Sequence, residues 1–168
     1  MATFHQEITP EQRLLIEKAK IFFVASVAGD VSAGPNGQGP VNLSPKGGVP
    51  LHIIDDHRVA YLDYVGSGNE TARHASADGP MTIMVMSMDA EDAAVVRLYG
   101  RATMTPVEES PLKDLVLASQ APNLELPVRQ VVDFRVESTV TSCGYGVPVL
   151  EYVDERVRSQ RGRRYKAS

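Results

Sequence analysis

The sequence contains one cysteine, Cys143. A single thiol excludes an intramolecular disulfide framework and any Cys-rich zinc site. No stretch approaches the roughly 18–20 consecutive apolar residues that cross a bilayer, so no membrane partner is expected. The first residues, Met1-Ala2-Thr3-Phe4-His5, have no basic segment leading into an apolar run. No secretion signal is read there, and the cytoplasm is the expected compartment. There is no Gly-x-Ser-x-Gly elbow, and Cys143 has no histidine in its local sequence. A nucleophilic hydrolase is therefore not expected. Internal repeats and low-complexity segments are also missing.

What is present is a chain of 168 residues, 43% hydrophobic and 23% charged, with a formal net charge of −4. Those values fit one soluble globular domain with a core large enough to fold without staples. The charge is unevenly spread. Residues 151–168 carry six Lys/Arg and three Asp/Glu, whereas the preceding 150 residues carry 11 and 18. The expected organisation is a domain over residues 1–150 and a basic C-terminal tail over 151–168. An acidic body with a short basic end is a poor match to a nucleic-acid-binding fold, so no nucleic acid is expected as partner.

Local signals divide the chain into short elements. Thr9-Pro10-Glu11-Gln12 predicts a helix start: a capping Thr, a Pro at the first helical position and a Gln three residues after the cap. Leu14, Leu15 and Ala19 form its apolar stripe. Ile21 to Ala28 reads as a strand. Residues 29–40 hold four Gly and two Pro and read as a turn-rich loop. Val49–Ile54 and Arg58–Tyr64 flank Asp55-Asp56-His57 as a hairpin. A short helix is expected from about Glu70 to Ala77, stopped by Asp78-Gly79-Pro80. Met81–Met88 pairs with Ala93–Met104, a helix runs to Ser119, and Arg129–Thr141 alternates as a half-exposed strand does. About seven short strands, too closely spaced for βαβ crossovers, predict a mainly β, antiparallel barrel with helices at its ends.

Two clusters carry potential chemistry. His52, Asp55, Asp56 and His57 have metal-ligand side chains, but they straddle a hairpin tip where Asp favours the turn itself, and no metal site is assigned. The stretch Val41 to Ala77 is more informative. Strand alternation places Asn42, Ser44 and Lys46 on one side: two hydrogen-bonding side chains and a cation. Tyr61-Leu62-Asp63-Tyr64 then leads through Gly66-Ser67-Gly68-Asn69 into a helix start. Free N–H groups there suit an anion, and Gly lets a phosphate approach the backbone. The equally open alternative is that Asn69 only caps the helix and the glycines only turn the chain.

The order of these pieces resembles the pyridoxamine 5'-phosphate oxidase-related flavoproteins, the FMN-binding split-barrel family. The resemblance is carried by Ile21–Ala28, Val41-Asn42-Leu43-Ser44-Pro45-Lys46-Gly47 and Tyr61 to Thr71. It continues through Met81-Thr82-Ile83-Met84, Arg97-Leu98-Tyr99-Gly100-Arg101-Ala102 and Thr141 to Pro148, so that it covers about residues 12–150. It implies a six-stranded antiparallel split barrel, a homodimer with FMN at the subunit interface, and an oxidoreductase acting on a small molecule. It implies ring contacts at Asn42, Ser44 and Lys46 and phosphate contacts at Ser67, Asn69 and Thr71. Arg97 and Arg101, four apart on a later strand, are candidates to reach the phosphate or the partner chain.

The chain departs from the true oxidases at the helix start. They carry Arg and Lys there; this sequence has Asn69-Glu70-Thr71-Ala72, with Arg73 the first cation. Basic residues for a pyridoxal phosphate substrate are not identified either. Flavin binding stands apart from vitamin B6 oxidation on these grounds. No catalytic residue is assigned. Tyr64 and Tyr145 are the tyrosines that could donate a proton, and Cys143 has no neighbouring cation to activate it. The alternatives are a non-catalytic flavin- or haem-binding module and a deazaflavin-dependent reductase. Haem would favour an axial His, with His52, His57 and His74 the core candidates.

Overall fold

The computed structural model describes residues 1–32, 39–66, 68–120 and 126–160. In chain order the elements are β1 (Thr3–His5), α1 (Pro10–Lys18), β2 (Ile21–Val27), β3 (Val41–Gly47), β4 (His52–Asp55), β5 (Arg58–Tyr64), α2 (Glu70–Ser76), β6 (Met81–Met86), β7 (Ala94–Pro106), α3 (Lys113–Ala118) and β8 (Val128–Cys143). The strands form one antiparallel sheet in the order β3-β2-β6-β7-β8-β5-β4, with β1 also paired to β8. The mainly β, antiparallel class expected from the strand spacing is what the chain adopts. The sheet has eight strands rather than six. Its path ends at β3 on one side and β4 on the other, and among the described residues no backbone ladder joins those ends.

The start of α1 is set locally. Thr9 accepts the Gln12 N–H through its hydroxyl at 3.3 Å, and the Gln12 side chain accepts the Thr9 N–H at 3.1 Å. The expected apolar stripe is shifted, however. Leu14 is exposed, whereas Gln12 and Ile16 are buried. Gln12 can be buried because its amide donates to the Thr141 hydroxyl on β8 at 3.0 Å, which satisfies a polar group that burial would otherwise penalise. The helix expected to end at Ser119 is also shorter than expected: a 3₁₀ turn over Val107–Glu109 precedes α3.

The core draws on residues of most strands. Phe22, Val24, Tyr61, Ile83, Leu98 and Phe134 are each essentially inaccessible to solvent. Phe22 and Tyr61 meet edge to face, centroids 5.1 Å apart. This contact ties β2 to β5, which share no ladder.

At its other end α2 closes with an interlocked C-cap. Gly79 N–H donates to the His74 carbonyl at 2.8 Å and Asp78 N–H to the Ala75 carbonyl at 2.9 Å. Asp78 takes the left-handed conformation this motif requires, φ 54°. Inside the helix His74 is buried, its Nδ1 2.9 Å from the Ser26 hydroxyl of β2. α2 is thus seated on the end of the sheet by its own sequence.

Candidate functional site

β3 alternates as its sequence predicts. Asn42, Ser44 and Lys46 turn inward and are half-buried; Val41 and Leu43 turn outward, 67% and 66% exposed. Pairing with β2 sets Asn42, Ser44 and Lys46 beside Ser26, Val24 and Phe22. The other edge of β3 has no backbone ladder among the described residues; its inward side chains reach β5 and α2 across a seam.

Two side-chain contacts bridge this seam. Lys46 Nζ donates to Asp63 Oδ1 of β5 at 2.8 Å. Asn42 Nδ2 donates to the Thr71 hydroxyl of α2 at 3.1 Å. At the rise of a strand these bridges stand about 13 Å apart. Midway between them lies Ser44, whose hydroxyl is buried without a hydrogen-bond partner among the described residues. An unpaired buried hydroxyl costs free energy, so a polar group completing it from within the seam would be stabilised. The Tyr61 hydroxyl is likewise buried without a partner among the described residues, and the Lys46 ammonium lies 5.8 Å from the centre of its ring. Burial, and secondarily the Asp63 charge, push the Tyr61 pKa well above its ordinary value, so this phenol stays protonated.

Gly66, Gly68 and Asn69 lie between β5 and α2, and Ser67, an expected phosphate contact, lies outside the described residues. Asn69 precedes α2 but does not cap it through its side chain. Its Oδ1 instead accepts from Arg129 Nη1 at 2.7 Å and from Gln130 Nε2 at 3.3 Å. Arg129 also donates to the Gly68 carbonyl at 3.0 Å and to the Gly66 carbonyl at 3.3 Å. Gln130 reaches Asp63 Oδ2 at 3.0 Å. The start of β8 therefore locks the turn and the Lys46–Asp63 pair into one network. Over Gly68 lies the Glu70 carboxylate: a Cβ on Gly68 would stand 2.2 Å from Glu70 Oε2. A negative group thus lies beside Gly68.

Arg97 and Arg101 do not join the seam. Arg97 donates to the Ser142 hydroxyl at 3.1 Å. Arg101 donates to the Asp78 carbonyl at 2.6 Å, at the opposite end of α2 from Thr71, and lies 3.6 Å from Glu137. The hairpin cluster is spent on its own geometry. Asp55 accepts the His57 N–H at 2.8 Å, Asp56 accepts from Arg13 at 2.8 Å, and His52 Nε2 lies 2.8 Å from the Ser119 hydroxyl. Burial lowers the His52 pKa, so this imidazole is held neutral. Tyr145 and Cys143 are exposed. Tyr64, at the end of β5, is half-buried, and burial raises its pKa.

Sequence reading missed Asp63, Arg129 and Gln130. Asp63 carried a signal: a carboxylate among Tyr61, Leu62 and Tyr64, where a strand reads as interior, demands a partner. Arg129 carried none, because its acceptors lie about sixty residues away and are mostly backbone carbonyls.

No family model matches the chain. The pyridoxamine 5'-phosphate oxidase family protein ustO of Aspergillus flavus is 28% identical over 154 residues, which span 90% of this chain and 58% of that protein. The chain thus spans little more than half the length of this curated relative. Among solved structures, a HupZ variant of Group A Streptococcus superposes with a TM-score of 0.59 at 21% identity, covering 80% of this chain and 99% of its own. A putative pyridoxamine 5'-phosphate oxidase of Lactobacillus delbrueckii gives 0.56 at 20% identity, covering 80% and 94%. A Mesorhizobium loti protein described as FAD-binding gives 0.53 at 12% identity, covering 84% and 99%. These three likenesses establish a common fold, and the curated relative supplies the kinship in sequence. The chain is thus similar in sequence to a pyridoxamine 5'-phosphate oxidase family protein and shares its fold with solved structures that include a putative member of that family.

Proposed function

We propose that the chain binds a flavin, FMN, in the seam between β3 and β5, and acts as an oxidoreductase on a small molecule. The single observation that carries this reading is the buried, unpartnered Ser44 hydroxyl, flanked by Asn42 and Lys46 on one strand face. A planar ring with polar edges fits such a row. The curated relative's family name and the Mesorhizobium loti protein's description as FAD-binding support the choice of flavin.

A bound flavin supplies hydride or electron transfer itself; the protein positions it and sets its electrostatics. In this reading Ser44 completes its hydrogen bond on the ring. Lys46 keeps a positive charge at the seam and favours a ring that gains negative charge, while Asp63 holds the ammonium in place and tempers it. Arg129 supplies the cation that the helix start lacks. The exposed Val41 and Leu43 on the outer face of an edge strand suit burial against a second copy, so the functional unit is a homodimer with the seam at its interface.

The test is the absorption spectrum of the purified chain before and after FMN, followed by anaerobic NADH or NADPH. A bound yellow flavin that bleaches is expected. A Soret band would overturn the reading in favour of haem. A chain that takes up no FMN would sink it, and deazaflavin becomes the next ligand to try. Ser44→Ala gives a signature of opposite signs: the ligand-free chain gains about 1 kcal/mol, because an unsatisfied buried hydroxyl is removed, while FMN binds about tenfold more weakly. Unchanged values of both would place the site elsewhere.

Glu70→Gln isolates the phosphate end. Removing a like charge from the approach to Gly68 tightens FMN by up to about fivefold, the range of a solvent-screened charge interaction. Riboflavin, which lacks the phosphate, binds the variant and the native chain equally. Equal gains for both ligands would show that Glu70 acts on the turn and not on the anion.

A further inference from the structure

Beyond β8 the chain doubles back. Leu150 N–H donates to the Met88 carbonyl at 3.0 Å, and residues 151–157 then run without regular structure to a 3₁₀ turn over Arg158–Gln160. This segment forms the outer wall of a cleft of about 960 Å³. The inner wall is the end of α1, the start of β2 and the end of β6.

The lining is mainly aliphatic and thioether: Leu15, Ala19, Ile21 and Met86 inside, Leu150 and Val153 on the segment. Methionine adapts its shape to varied apolar partners. Tyr152 adds an aromatic ring, with Lys20 Nζ 5.6 Å from its centre and its hydroxyl donating to Glu155 at 3.1 Å. Three basic and four acidic side chains share the wall. Their charges nearly cancel, so the cleft has no strong net field to select an ion. Small-molecule sites span about 300–1,000 Å³, a range that includes this cleft.

We propose that this cleft is a second binding site, separate from the seam, for an uncharged, largely apolar, ring-containing molecule of drug size. The segment from Leu150 to Gln160 is its outer wall, and Tyr152 is the ring against which the ligand lies. The two sites diverge at adjacent residues: Lys46 turns into the seam, whereas Gly47 lines the cleft. The inference is independent of the flavin reading.

The test uses the full chain and two fluorescent probes of similar apolar body, neutral 1-N-phenylnaphthylamine and the sulfonated 1-anilinonaphthalene-8-sulfonate. The neutral probe is expected to bind saturably, one per chain, at least tenfold more tightly than the sulfonate. Ala19→Trp fills the cleft and Tyr152→Ala removes its ring; each is expected to weaken the neutral probe at least tenfold with thermal unfolding unchanged. If Ala19→Trp fails to fold, Val153→Trp on the exposed segment makes the same test. Equal affinity for the two probes, no saturable binding, or binding indifferent to the variants would overturn the proposal. Displacement of the probe by FMN would put it in the seam and overturn it too. So would self-association of the native chain that the filling variant abolishes, because a second copy would then occupy the cleft.

Discussion

Asp63→Ala unfolds at a markedly lower denaturant concentration than the native chain, with a loss of about 3 kcal/mol, the lower end for removing one partner of a buried ion pair. The lower end applies because the pair keeps slight solvent contact: the side chains of Lys46 and Asp63 are 20% and 12% exposed. Alanine leaves the ammonium beside the Tyr61 ring with no counter-charge, and frees the Gln130 amide that the second carboxylate oxygen accepts. Arg129, 4.0 Å from that oxygen, loses an opposite charge as well. A second substitution, Lys46→Met, restores most of the loss, because the stranded charge goes with it and an apolar pair of similar volume replaces a buried ionic one at little cost. Denaturant midpoints of the native chain, the two single variants and the double variant measure the coupling. An Asp63→Ala chain with the native midpoint would show that the pair is screened by water and joins nothing.

That pair also explains how far the sequence could be read. Features set by neighbours within a few residues were legible. The Thr9–Gln12 box, the Asp55-Asp56-His57 turn and the alternation of Asn42, Ser44 and Lys46 each follow from local stereochemistry, and each is realised. Features set by long-range partners were not. Whether Lys46 would be free or paired depends on a carboxylate seventeen residues away across a seam with no backbone ladder. Asn69 reads locally as a helix cap, but a guanidinium from β8 competes for its oxygen and holds it. Arg97 and Arg101 lie on one strand as expected, yet an acceptor on β8 and the cap of α2 draw them away from the seam. β1, three residues long, carries too little pattern to be read at all; its register comes from β8. The same holds for α1, where Gln12 is interior only because Thr141 waits for its amide.

Gly79→Ala is expected to cost about 3 kcal/mol, the upper part of the range for overpacking, because the obstacle is backbone on two sides. A Cβ at this position would stand 2.0 Å from the Val27 carbonyl oxygen at the end of β2 and 2.8 Å from the His74 carbonyl oxygen in α2. Neither atom can rotate away as a side chain would. Their residues also hold structure together: the His74 carbonyl accepts the Gly79 N–H that closes the helix cap, and Val27 N–H donates to the Pro80 carbonyl at 3.2 Å. The helix must therefore lift off β2, and the buried Ser26–His74 contact and the Asn42–Thr71 bridge lengthen with it. Gly66→Ala is the matched control, because its Cβ would meet nothing within 4 Å and no fixed contact is disturbed. Thermal unfolding should separate the two variants by several degrees. In the Gly79 variant, added FMN should also bind more weakly, because one bridge across the seam has moved. Equal unfolding temperatures for the two alanine variants would mean that α2 can shift freely, and that its seating on β2 does not set the geometry of the seam.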